Sequence, residues 1–268
     1  MKQLTRKEAK QYLLNILVNF DQFCKQNDLT MYLCAGTLLG AVRHHGFIPW
    51  DDDIDVCMDR ESYNRLVSIA KKDPVFNKHY KVIDFQFGDS NYPYIKVIDL
   101  RTKMSQQFGN DVADYLWIDV FPMDGLPNDE KQQKQLYKKV STIREILMLS
   151  FAKPGQGRSL AKKVLKTPLI PLAKLYGLKR ANNQLSKLSQ SYDYHKTRII
   201  GDVLWGDYGK EMLTVEEYFT STKVTFEDYV FDTFACWDKY LTELYGNDYM
   251  EIPPKSKQVN HNLQAWLR

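Results

Sequence analysis

The stretch that most constrains this chain is residues 33–58, where a short apolar run leads into a cluster of aspartates. Four acids occur within five positions: Asp51, Asp52, Asp53 and Asp55. Their neighbours are largely apolar, which is unusual for a solvated acidic turn. Alternate residues of a strand share a face, so Asp53 and Asp55 should point the same way, roughly 6–7 Å apart. Carboxylates this close repel each other, so we expect a cation between them, and oxygen ligands suit Mg²⁺ or Mn²⁺.

A third carboxylate, Asp119, is the one charged residue of the apolar run at residues 115–121. An unpaired charge in such a strand would be costly, so Asp119 must have a cationic partner. We expect that partner to be the same metal ion, although a buried lysine or arginine would also satisfy the charge. Asp51 and Asp52 are weaker candidates, suited to capping a turn or to supporting the ligands.

A phosphate-binding element is predicted at Gly36 and Thr37, which end an apolar run and open a short helical segment. Backbone N–H groups at a helix N-terminus bind anions, and a hydroxyl adds a donor. Arg43, one to two turns further, would neutralise phosphate charge, unless it is a surface residue that pairs with the acidic run. Lys96 lies between two apolar residues of another predicted strand and is a further candidate.

The composition indicates a chain with a substantial core. It has 268 residues, of which 44% are hydrophobic and 13% aromatic, and its net charge of +4 does not by itself indicate nucleic-acid binding. The four cysteines form no CxxC pair, which is typical of a reducing compartment. Neither a signal peptide nor an apolar run of about 18 residues is evident. We therefore expect a cytoplasmic protein that could contact the inner face of the cell membrane.

Periodicity and capping residues predict the main elements. Helices are expected at residues 6–26, 59–72, 129–151 and 236–245. Strands are expected at residues 31–35, 55–58, 81–87, 94–100 and 115–121, the last ended by Pro122.

A basic segment interrupts this pattern. Residues 153–198 contain eleven Lys or Arg and one acid, Asp193, for a local charge of +10. Within residues 158–180 the lysines are interspersed with leucines, as in a helix that lies on an anionic membrane surface. The alternative is a solvated helical hairpin whose leucines face the core. A nucleic-acid-binding segment is a remote third reading, because it leaves the aspartates unexplained.

Three blocks of sequence now show a resemblance to a known family. They are AGTLLGAVRH with GFIPWDDDID (residues 35–44 and 46–55), WIDVFPMDG (residues 117–125), and LTELYGNDYMEIPP (residues 241–254) followed by His261. In this order they resemble the LicD family of phosphocholine transferases, which is similar to the nucleotidyltransferase superfamily and to fukutin-type phospho-polyol transferases.

The resemblance implies an α/β (α+β) fold, a nucleotidyltransferase-like mixed sheet flanked by helices, with the basic helices as an insert. Residues 1–152 would form the catalytic core, 153–200 the insert, and 201–268 a segment that completes the site. It also implies Mg²⁺ at Asp53, Asp55 and Asp119.

The expected activity is transfer of phosphocholine from CDP-choline to a sugar hydroxyl of a lipid-linked glycan precursor, of the teichoic acid or lipopolysaccharide type. Asp119 is the candidate general base. Aromatic faces should bind the quaternary ammonium, although core packing is an alternative role for each ring. The candidates near the site are Trp117, Tyr94, Trp205 and Tyr208. His261 is a structural residue or a further support of the site.

Two related activities remain open. The donor could be another CDP-alcohol, carrying ribitol, glycerol or ethanolamine, with the same metal site. Alternatively, the chain could transfer a nucleotidyl group to a small molecule and release pyrophosphate.

Overall fold

The computed structural model describes residues 1–104, 114–152, 167–258 and 264–268. Its helices, within these ranges, are Arg6–Gln26 (α1), Ala35–His44 (α2), Arg60–Lys72 (α3), Glu130–Phe151 (α4), Leu169–Tyr176 (α5), Leu178–Ser189 (α6), Val215–Phe219 (α7) and Trp237–Tyr245 (α8). Its strands are Lys2–Gln3 (β1), Tyr32–Leu33 (β2), Asp55–Asp59 (β3), Val75–Phe76 (β4), Tyr80–Ile83 (β5), Ile95–Asp99 (β6), Thr102–Met104 (β7), Trp117–Leu126 (β8), Ile199–Gly201 (β9), Met212–Thr214 (β10), Ser221–Phe226 (β11), Tyr229–Phe234 (β12) and Ala265–Leu267 (β13).

The central sheet is mixed, as expected for the α/β (α+β) class. Its main path is β10-β9-β8-β6-β5-β4, and β3 joins β8 in parallel on one side and β2 on the other. The β8 strand is central because it pairs with β3, β6 and β9. Its residues Ile118 and Val120 are fully buried. A strand with partners on both sides is therefore the scaffold for Asp119.

Local signals account for the helices that cover this sheet. Thr5 and Glu8 form a capping box at the start of α1, and the Asp59 side chain accepts from the Ser62 N–H at the start of α3. The apolar stripe of α1 is buried against the sheet. Its buried members are Leu13, Leu14, Ile16, Leu17, Phe20 and Cys24. The predicted helices at 6–26, 59–72, 129–151 and 236–245 are confirmed to within one residue.

The predicted end of β8 at Pro122 is wrong, because the strand continues to Leu126. Proline has no N–H to donate to a neighbouring strand. Pro122 nevertheless breaks no hydrogen bond with β6, because the pairing of β8 with β6 ends at Val120. On the other side the parallel ladder with β3 continues past Pro122 to Met123. The expected strand at residues 81–87 is also shorter, since a 3₁₀ turn replaces its second half at Phe85–Phe87.

A second, smaller core lies where the basic segment meets α4. Ala181 and Leu185 of α6 are buried together with Val140 and Leu147 of α4. Residues 153–166 of that segment lie outside the described ranges. The division into three parts at residues 152 and 200 stays a prediction.

The two chain ends meet in a three-stranded sheet that the sequence did not reveal. Strand β13 lies between β1 and β7, with Leu267 opposite both Lys2 and Thr102. In the described part of the chain, no helix is long and apolar enough to cross a bilayer.

Candidate active site

Strand register brings the predicted site residues together. Asp55, at the start of β3, lies opposite Asp119 on β8, and Asp119 lies opposite Lys96 on β6. The backbone N–H of Asp119 donates to the Ile54 carbonyl at 2.9 Å. Three neighbouring strands therefore present two carboxylates and one ammonium side by side. Asp53 precedes β3 rather than lying in it.

The electrostatics show that these carboxylates are crowded. Burial, followed by Asp51 and then Asp119, raises the pKa of Asp53 to about 8. Burial, followed by Asp53 and Asp119, raises the pKa of Asp55 well above its ordinary value. Neighbouring negative charge penalises ionisation of each acid. A cation bound between Asp53 and Asp55 would remove this penalty.

Asp119 has a protein cation as a partner. The Lys96 Nζ lies 2.9 Å from Asp119 Oδ1, and the two side chains are 3% and 13% exposed. The same ammonium lies over the rings of Trp117, Tyr92 and Tyr94, at 4.1, 4.6 and 5.5 Å from the ring centroids. The sequence left open whether a metal or a buried lysine balances Asp119, and Lys96 provides that balance. Metal ligation by Asp119 stays a prediction, as does phosphate binding by Lys96.

The carboxylates fit a hard divalent cation whose ligands come partly from the protein and partly from a substrate. Within the described ranges, no group of three or more His, Cys, Asp or Glu side chains is placed to hold a metal by itself. Mg²⁺ commonly uses one or two carboxylates, together with water and substrate phosphates. Asp53 and Asp55 supply two carboxylates of this type, so their chemistry fits a metal that binds together with a phosphorylated substrate.

The start of α2 has the features of an anion site. Its N-cap residue, Cys34, makes no side-chain hydrogen bond to the first-turn amides. Ala35 has a φ of +44°, which is strained for a residue with a Cβ. A Cβ on Gly36 would lie 3.1 Å from Asp51 Oδ2, so glycine allows the acidic run to approach. Thr37 has a role that we did not predict, because its Oγ1 accepts from the Asp55 N–H at 2.8 Å.

Arg43 joins the first sequence block to the C-terminal one. Its Nη1 donates to the carbonyls of Tyr249 and Glu251, at 2.6 and 3.0 Å. It also lies over the Trp50 ring, with 5.9 Å between the guanidinium carbon and the ring centroid. Arg43 thus holds residues 249–251 beside α2 rather than pairing with the acidic run. Its contact with phosphate stays a prediction.

A cleft of about 440 Å³ opens between α2 and the C-terminal segment. The residues that line it include Gly36, Arg43, Asp51 and Tyr245. Lys257 also lines the cleft and adds a second cationic residue. This volume is typical of small-molecule sites.

The remaining predicted residues are divided between two regions. Trp205 lies with Tyr94, which contacts the Lys96 ammonium, at a ring separation of 5.1 Å. Tyr208 packs instead on Tyr137, in a different cleft beside Lys134. Asp52 is buried. His261 lies outside the described residues.

Sequence reasoning missed a group of polar residues behind α2. The Tyr240 hydroxyl accepts from the Ala35 N–H and donates to Glu211 Oε1, each at 3.2 Å. Burial, then Asp55 and Glu211, raise the pKa of Tyr245 well above its usual value. Tyr240 and Tyr245 lie in or next to the third resembling block, which was the available signal. Glu211 had no such signal.

Asp202, beside this group, gives a prediction on stability. Burial and the nearby Glu211 raise its pKa to about 8, against 3.8 ordinarily. Between these two values the folded chain keeps a proton that the unfolded chain releases. The contribution of Asp202 to the free energy of unfolding is therefore complete below about pH 4 and lost by about pH 8. We expect Asp202→Asn, whose amide oxygen can still accept from the Trp205 N–H, to weaken this dependence.

Urea unfolding at pH 5 and pH 8 measures the effect. Asp53 contributes in the same direction, so the informative quantity is the difference between the wild type and the variant. Asp228→Asn, at an exposed hairpin turn, serves as the control. An unchanged pH dependence in Asp202→Asn would contradict the assignment.

Comparison of the sequence with known proteins identifies the family of this chain. The family model described as LicD/FKTN/FKRP, nucleotidyltransferase domain, matches residues 28–168. A curated relative from Haemophilus influenzae, named lipopolysaccharide cholinephosphotransferase LicD, is 34% identical over 269 residues and covers 98% of each chain. An uncharacterised protein of Rickettsia prowazekii is 37% identical over 57 residues, or 21% of each chain. Because the model spans more than half of the chain and the Haemophilus relative aligns along nearly all of it, the chain belongs to the LicD family.

Proposed function

We propose that this chain transfers phosphocholine from CDP-choline to a sugar hydroxyl of a cell-surface glycan precursor. The observation that carries the proposal is the crowding of Asp53, Asp55 and Asp119 next to the cleft at Gly36 and Tyr245. The named activity of the Haemophilus influenzae relative supports the choline end of the donor.

The diphosphate of the donor would bind where α2 begins. The amides around Gly36 and the Arg43 guanidinium offer donors and positive charge. Asp53 and Asp55 would hold a Mg²⁺ or Mn²⁺ ion against the diphosphate. That ion would neutralise charge on the reacting phosphate and on the departing CMP.

Asp119 would accept the proton of the attacking hydroxyl. The Lys96 ammonium, 2.9 Å from Asp119 Oδ1, holds the carboxylate in position for this role. The new bond joins the sugar oxygen to the phosphorus next to choline, and the bond from that phosphorus to CMP breaks. Holding both reactants in line supplies much of the rate enhancement.

Aromatic faces would bind the trimethylammonium group. Trp117 and Tyr94 already face one cation, the Lys96 ammonium, which is evidence that this cluster suits positive charge. Tyr208 lies in a separate cleft and is therefore the weakest of the four aromatic candidates. The acceptor is proposed to be lipid-linked, which places the reaction at the inner face of the membrane, without involvement of nucleic acid.

Release of CMP from purified protein with Mg²⁺ tests the proposal. CDP-choline should be preferred to CDP-ethanolamine, CDP-glycerol and CDP-ribitol when each is supplied with a glycan acceptor. Faster turnover of another CDP-alcohol would keep the chemistry and replace the donor. Pyrophosphate release from CTP, without CMP release from any CDP-alcohol, would support nucleotidyl transfer and reject phosphocholine transfer.

A further inference from the structure

Helix α5 presents apolar side chains on two opposite faces. Ile170 and Ala173 are 4% and 6% exposed. Leu172 and Leu175, however, are 63% and 84% exposed, and Leu169 at the edge is 44% exposed. The sequence left open whether these leucines face the core or the outside. In the structure they face outward.

This arrangement follows from helix geometry. At 3.6 residues per turn, Leu172 and Leu175 lie on the side opposite Ile170 and Ala173. The inner face already packs towards α4 and α6, so the outer leucines gain nothing from the protein core. Exposed leucines on adjacent turns keep apolar surface in water, which is unfavourable unless another apolar phase covers it.

Exposed cations on α5 and at the start of α6 indicate the kind of partner, and the Arg180 guanidinium carbon lies 4.8 Å from the ring centroid of Tyr176 at the end of α5. Lys174 on α5 and both Lys179 and Arg180 on α6 are exposed. Residues 153–198 as a whole carry a net +10, in a chain whose total is +4. A surface that joins leucines to lysines and arginines complements an anionic bilayer, which offers negative headgroups above an apolar interior. Nucleic acid would use the charges but leave the leucines in water.

We propose that α5 and its flanking cations dock on an anionic lipid bilayer, with Leu172 and Leu175 inserted at the boundary between headgroups and acyl chains. The cations at Lys174, Lys179 and Arg180 would contact the headgroups. The interaction is peripheral, since the leucines lie on a helix of eight residues. The inference does not depend on the identity of the donor, and it is compatible with a lipid-linked acceptor.

Vesicle co-sedimentation of the full chain tests this inference without substrate or metal. The probes are vesicles of phosphatidylcholine alone and vesicles containing about one third phosphatidylglycerol, at low and high salt. We expect binding to the anionic vesicles at low salt and weaker binding at high salt. Leu172→Ser/Leu175→Ser should reduce binding to anionic vesicles about tenfold or more. Lys174→Glu/Lys179→Glu should have an effect of similar size.

Two controls make the result specific. Val230→Ser changes a side chain that is 56% exposed on the β11–β12 hairpin, and Lys71→Glu reverses an exposed charge on α3. Both should bind as the wild type does. Circular dichroism checks that every variant is folded, and the charge variant keeps the test decisive if the serine variant unfolds.

Two outcomes would overturn the inference. The first is an absence of binding to anionic vesicles at low salt. The second is wild-type binding by the folded serine variant, since the leucines would then be covered by another part of the chain or by a second copy. Light scattering of the wild type and the serine variant identifies the second copy as the cause.

Discussion

Replacing Asp53 or Asp55 by Asn is expected to lower kcat by roughly a thousandfold or more, which corresponds to about 4 kcal/mol of transition-state stabilisation. Each variant removes one of the two carboxylates proposed to hold the cation beside the donor diphosphate. The fold should survive, because each substitution removes a charge that its neighbours already oppose. CMP release measures the rate, and circular dichroism measures the fold.

A second measurement separates loss of the metal from loss of the substrate site. In the wild type, Mg²⁺ with CDP-choline should raise the thermal midpoint of unfolding, and Asp53→Asn or Asp55→Asn should abolish the part that depends on Mg²⁺. Asp228→Asn, at the exposed turn of the β11–β12 hairpin, should leave both readouts unchanged. Activity within tenfold of the wild type in Asp55→Asn would remove Asp55 from the proposed metal site.

The second large effect is expected at the buried pair between Lys96 and Asp119. Lys96→Met leaves the Asp119 carboxylate without its ammonium partner in a largely buried position. Breaking such a pair typically lowers the free energy of unfolding by about 3–5 kcal/mol. Activity should fall as well, because the Asp119 carboxylate would lose the ammonium that holds it in position.

A double-mutant cycle distinguishes the structural part of this effect from the catalytic part. Lys96→Met/Asp119→Leu should regain most of the lost stability, measured by urea unfolding, and should stay inactive. Asp119→Asn alone should be folded and inactive, and near-normal turnover in it would exclude Asp119 from the reaction. Lys223→Met breaks the exposed pair with Asp232 and should cost less than about 1 kcal/mol, which makes it the matched control.

Much of the fold was predictable because its signals are local. The capping box at Thr5 and the N-cap at Asp59 mark helix starts without any tertiary information. Predictions of strand ends were wrong where the end depends on a partner strand. Pro122 reads as a strand end, and only the point at which β6 stops pairing explains why β8 continues beyond it. The pairing of β13 with β1 joins the two chain ends and has no local signal at all.

The site residues also divide into those with a local sequence signal and those that depend on distant contacts. Asp53, Asp55 and Asp119 stand out because carboxylates in apolar runs demand a cation, and this argument needs no structure. Tyr240 was missed because its importance comes from a contact with the Ala35 N–H across 205 residues of sequence, and Glu211 was missed because it is linked to α2 only through the Tyr240 hydroxyl. Such a contact leaves no trace in local composition.

The sequence by itself determined the fold class, the principal acids and the family resemblance, since each depends on residue type and short-range spacing. Tertiary structure decided which groups those acids meet. Strand register placed the Lys96 ammonium beside the Asp119 carboxylate. The packing of α5 turned Leu172 and Leu175 outward. Both outcomes depend on which surfaces other elements have already covered, and a one-dimensional pattern does not contain that information.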